Sequence, residues 1–169
     1  MRVYVPTTLN GLAAAHAAGE LGPAPLHAYA VTPALREWYL SDDIEELEYA
    51  ALVRAAQSSL RLLAADAASP RRRAVVALDV PDKAVLLDTG AEYRDQSSLG
   101  LVRLADPVAL AKAAAVHVDG SDAEEDVAAA ASAVDAADAG DDDARFTVDG
   151  AEDHELLWYA TQELPTLLP

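Results

Sequence analysis

LHAYAVTPALREWYLSDDIEELEYAALVRAAQSSLRLLAA, residues 26–65, decides the fold, because it passes from a strand through a capped turn into two successive helices. LHAYAV at 26–31 reads as a strand. Thr32 offers a capping hydroxyl, and Pro33 sits in the first helical turn, where its missing N–H costs nothing. A short helix through Leu40 is broken at Ser41-Asp42-Asp43. A long helix then runs to about Ala65, with Asp42 and Glu45 as a capping-box-like start. Ile44, Leu47, Ala51, Ala55 and Leu62 recur at helical spacing, and Leu52, Ala56, Ser59 and Leu63 widen the buried stripe. Glu45, Glu46, Arg54, Gln57 and Arg61 fall mostly outside it, toward the solvent side.

Upstream, Arg2-Val3-Tyr4-Val5-Pro6 alternates at period two and ends on proline, a strand. Thr7 and Thr8 cap a helix over LNGLAAAHAAG, closed by Gly19 and Gly22. Downstream, AVVALDV at 74–80 is a continuous apolar run, as a strand covered on both faces requires. VLLD (85–88), LVRLA (101–105) and AVHVD (115–119) add shorter strands, and TGAEYRDQSSLG (89–100) reads as a polar surface loop. Ser121 and Glu124 form a capping box for an Ala-rich helix over 122–138 that Gly140 stops. Phe146-Thr147-Val148 is expected as an edge strand. Asp149 and Glu152 are expected to cap a C-terminal helix at about 152–164, whose face is Leu156, Leu157, Ala160 and Leu164. Together these elements predict one α/β domain spanning 1–169. Its mixed sheet has about five or six strands with flanking helices, and an acidic Ala-rich helical region covers about 119–145.

Composition narrows the chemistry. The 169 residues contain no cysteine, which removes disulfides, thiolate nucleophiles and cysteine-based metal sites. The formal charge is −17, from 29 acidic and 12 basic residues, and such a field repels nucleic-acid phosphates and anionic lipid. Arg71-Arg72-Arg73 is the only basic cluster, with no interleaved aromatics, so no direct nucleic-acid binding is expected. Neither a signal-peptide pattern nor an apolar run of about 18 residues occurs, so the expected setting is cytoplasmic and away from membranes. Phosphate-cradling glycine motifs and the nucleophile elbow are absent from the sequence. His16, His27, His117 and His154 show no metal-ligand spacing. No catalytic residue, metal or cofactor is therefore assigned.

Two Trp-Tyr pairs remain, Trp38-Tyr39 and Trp158-Tyr159, four of the nine aromatics. Adjacent residues on a helix point about 100° apart, so each pair suits one ring in the core and one at the boundary. With their polar neighbours they define the candidate ligand- or partner-binding residues: Arg36, Trp38, Tyr39, His154, Trp158, Tyr159 and Gln162. The leading expectation is an acidic interaction or regulatory module without catalytic activity, open to a protein partner and to self-association. The alternative is a small-molecule-binding protein or small enzyme with a pocket lined by the two Trp-Tyr segments, where cationic and aromatic groups suit an anionic, partly planar ligand.

MRVYVPTTL (1–9), TPALREWY (32–39), EELEYAAL (45–52), SLRLLA (59–64) and DHELLWYATQELP (153–165), taken together, resemble an uncharacterised family of actinobacterial proteins, a domain of unknown function. The resemblance is close to full length. It implies a high-GC actinobacterial source and a cytoplasmic setting, and it brings no catalytic residue or cofactor with it.

Overall fold

A computed structural model describes the backbone of residues 1–169 and the side chains of residues 1–88 and 90–169. In chain order the elements are β1 (Arg2–Thr7), α1 (Leu9–Ala18), β2 (Glu20–Leu21), β3 (Leu26–Ala30), α2 (Pro33–Tyr39), α3 (Ile44–Ala65), β4 (Ala74–Asp79), β5 (Val85–Leu87) and α4 (Thr89–Glu92). They continue with β6 (Leu101–Leu104), β7 (Val108–Ala109), β8 (Ala113–Val118), α5 (Glu124–Asp138), α6 (Asp142–Gly150), β9 (Leu157–Tyr159) and α7 (Leu164–Leu167). Seven strands form one sheet in the order β5-β6-β3-β1-β4-β8-β9, and β2 pairs with β7 in a small second sheet.

The single α/β domain expected from the pattern is present, but every strand pairing is antiparallel and the main sheet has seven strands rather than five or six. The reason lies in the connections. Val3 pairs with Ala30, so β3 starts at the end of the sheet where β1 finishes, and α1 with β2 forms an out-and-back excursion. Three connections join strands that run the same way with other strands between them, β3 to β4, β4 to β5 and β6 to β8, and α2–α3 is the helical one. It joins β3 to β4, which run parallel to each other with β1 inserted antiparallel between them. No parallel pair is thereby left to hydrogen-bond.

Period-two alternation divides the core. Val3, Val5, Val76, Leu78, Val116 and Val118 face α1, where Leu9, Leu12 and Ala15 meet them. Tyr4, Val75, Ala77 and Ala115 face Ala51, Ala55 and Ala56 of α3, and small side chains on both sides let helix and sheet approach closely. Beyond the sheet, Leu60 and Leu63 of α3 pack with Val127, Ala130, Ala131 and Val134 of α5, joined by Val148 and Ala151. The α3 side is therefore two layers deep.

The basic cluster is consumed in folding. Arg71 donates to the Leu63 carbonyl oxygen at 2.8 Å, closing the end of α3, and Arg72 donates to the Asp119 carbonyl oxygen at 2.8 Å. Arg73 and Asp119 form a buried bidentate pair at 2.8 Å and 2.8 Å, and Arg73 also donates to the His154 carbonyl oxygen at 2.9 Å. One guanidinium thus ties β4, the end of β8 and the segment leading into β9.

Four local expectations are corrected. The C-terminal helix expected at 152–164 is replaced by a short turn, strand β9 and the one-turn α7, because pairing with β8 claims Leu157–Tyr159. Phe146-Thr147-Val148 is helical, within α6, since Asp141 caps that helix by accepting from the Ala144 N–H at 3.0 Å. The long helix is capped by Asp43, which accepts from Glu45 and Glu46, rather than by Asp42. Residues 89–100 hold a helical turn, α4, and bury a carboxylate, Glu92.

Candidate functional site

The corner between α2 and α3 is held from below. The Thr32 hydroxyl accepts from the Leu35 N–H at 3.1 Å and donates to the buried Glu92 carboxylate. Glu92 also accepts from the Gly100 N–H at 2.8 Å. Gly100 has φ 83°, and a Cβ there would stand 3.0 Å from the Ala30 carbonyl oxygen, so only glycine fits. Ala34 and Leu35 anchor α2 in the core. The remainder of the corner turns outward: Trp38 is 54% exposed, Leu40 is 89% exposed, and Tyr39, Ile44 and Tyr49 are also exposed. Leu40 ends α2 with φ 49°, ψ 40°, the left-handed conformation that side chains with a Cβ disfavour. Exposed carboxylates adjoin these residues in the sequence: Glu37, Asp42, Asp43, Glu45 and Glu46.

The second pair behaves differently because it lies on a strand, where neighbours point to opposite faces. Tyr159 lies opposite Val116 and packs on the α1 side of the core. Trp158 lies opposite His117 and is 62% exposed. The His117 ring sits 6.4 Å from that of Tyr4, and burial, followed by the Arg2 charge, pushes its pKa down. His154 Nε2 stands 2.7 Å from the Asp126 carboxylate of α5, and that hydrogen bond pushes its pKa up. Gln162 is exposed in the turn before α7, and Arg36 is exposed on α2.

Tyr159 and Trp158 thus face opposite sides of the sheet. A cleft of about 660 Å³ opens between α3, the α5–α6 layer and the turn at residues 96–98, and of the seven candidate residues only Tyr39 lines it. Its distinctive member is Arg54, which was expected on the solvent side of α3 and is only 7% exposed. The signal was present in the spacing: Leu47, Ala50, Ala51 and Arg54 follow i, i+3, i+4, i+7, a single helix face. Residue type concealed it, since arginine is almost never fully buried unless paired. Among the described residues no group of three or more His, Asp or Glu side chains is arranged to hold a metal ion, and no helix is long and apolar enough to cross a membrane.

Fold and surface together define a single-domain α/β protein whose antiparallel sheet carries one helix layer on one face and two on the other. The chain belongs to a family of unknown function, DUF6912, whose model matches residues 1–168. Comparison with curated proteins and with solved structures returns no match.

Proposed function

We propose that this protein is a non-catalytic interaction module of an actinobacterial cytoplasm, and that it docks a partner protein through the α2–α3 corner. The observation that carries this reading is Leu40, which works against folding in two ways. Its left-handed backbone costs about 1 kcal/mol relative to glycine, and its side chain, 89% exposed, contributes no burial in return. Trp38, Tyr39 and Ile44, within four residues of it, are exposed as well. Large aromatic and aliphatic side chains with charged neighbours resemble the centre-and-rim layout of protein interfaces. The neighbouring carboxylates favour a partner with an apolar pocket edged by lysine and arginine.

The test uses stability and binding together. Leu40→Gly is expected to leave stability unchanged or to raise it by about 1 kcal/mol in denaturant unfolding, while lowering recovery of a stoichiometric partner in affinity capture at least tenfold. Trp38→Ala is expected to reduce recovery similarly, and raising the salt concentration to slow association. Undiminished recovery with both variants, or recovery of the bait alone at near-native concentration, would refute the proposal.

A further inference from the structure

Two arginines are buried in this protein, Arg54 and Arg73, and only one has an acid. Arg73 is neutralised by Asp119. Arg54 has no carboxylate within ion-pair distance among the described residues, its Nη1 donates to the Gln96 carbonyl oxygen, and its Nε has no partner. Arg103 also has an unpartnered Nε, but Asp88 stands 3.8 Å from its guanidinium. Arg54 therefore holds a guanidinium largely out of water, with no carboxylate against it, on the wall of a 660 Å³ cleft.

We propose that this cleft binds a small molecule bearing an oxyanion, a carboxylate or phosphate group, on the Nη2 amino group of Arg54. With Nη1 engaged by Gln96 and Nε enclosed by protein, Nη2 is the guanidinium nitrogen left to donate to an oxyanion. Arg61 and Arg145 line the same cleft, and Ser58, Ser97 and Ser98 supply hydroxyl groups. The cleft acids are largely engaged: Asp138 chelates Arg61 at 2.6 Å and 2.9 Å, and Glu152 accepts from Gln57 at 2.6 Å. Asp149 adds a further negative charge to the lining, which favours one compact anionic group over a polyanion. Tyr39 provides ring surface for the remainder of the ligand. The volume lies within the range of roughly 300–1,000 Å³ common to small-molecule sites.

The experiment titrates the full chain, in chloride buffer, with sodium phosphate, adenosine monophosphate and citrate, following the arginine Nε–H resonances by ¹H–¹⁵N NMR. A saturable shift of the Arg54 resonance by at least one probe at millimolar or lower concentration is expected, and comparison of the arms separates phosphate from carboxylate. Arg54→Lys keeps the charge but loses the guanidinium donor at the Nη2 position and is expected to weaken binding at least tenfold, whereas Lys83→Ala, an exposed charge change, leaves it unaltered. Ser58→Asp places a carboxylate one helical turn from Arg54 and is expected to raise the melting temperature of the free protein while abolishing the response. This variant decides the matter if Arg54→Lys does not fold. Absence of saturation by all three probes at about 10 mM, a range in which even millimolar affinities saturate, or equal binding by Ser58→Asp, overturns the proposal.

Discussion

His117 and His154 show how environment alone separates two chemically identical side chains. The Asp126 carboxylate, with Asp122 and Asp119 nearby, favours the imidazolium of His154 and raises its pKa above the ordinary 6.5. Burial on the α3 side of the sheet, aided by the Arg2 charge, disfavours the imidazolium of His117 and lowers its pKa. The linked effects on stability have opposite signs. The contribution of His154 is complete below about pH 6.5 and is lost as pH rises through its folded value; that of His117 is present above about pH 6.5 and is lost as pH falls through its folded value. Asp126 is well exposed, so solvent screening keeps its share small. Proton NMR titration is expected to place the His154 midpoint above that of His117, with Asp126→Asn lowering the former alone. Coincident or inverted midpoints would contradict this account.

At the scale of elements, α3 holds the molecule together through a serine. The Ser59 hydroxyl donates to the Thr7 carbonyl oxygen at 2.6 Å and accepts from the Ala74 N–H at 3.0 Å, bridging the end of β1 to the start of β4. Ser59→Ala leaves both backbone groups without these partners in a buried setting, and a loss of about 2 kcal/mol is expected in urea unfolding. A change below the error of that measurement would show that the strand ends find other partners. The helical spacing of Leu47, Ala51 and Ala55 made α3 legible, although Ile44 and Leu62 of the same expected stripe are exposed, and the Thr8 and Thr32 hydroxyls did the same for α1 and α2. β9 was not legible. Leu156, Leu157, Ala160 and Leu164 have helical spacing, yet three ladder positions against β8 outweigh that local preference. Phe146-Thr147-Val148 shows the converse, a strand-like triplet held helical by packing on α5 and by the Asp141 cap.

Over the whole molecule, a formal charge of −17 on 169 residues makes self-repulsion the dominant long-range electrostatic effect. Raising sodium chloride from about 20 to 200 mM shortens the screening length to about 7 Å and is expected to raise the melting temperature; a decrease would mean that the Arg2–Asp79 and Arg61–Asp138 surface pairs outweigh the net field. The α/β class, the strand identities of β1, β4 and β8 and the extent of α3 were set by sequence alone, because periods of 2 and 3.6 residues are local properties of the chain. Tertiary structure alone decided that every pairing is antiparallel, that the second Trp-Tyr pair lies on a strand rather than a helix, and that Arg54 is enclosed. Each of these depends on contacts between distant residues, as when Arg73 meets Asp119, or when the turn at Gln96 covers a guanidinium of α3. Such contacts leave no periodic trace in the segments that make them.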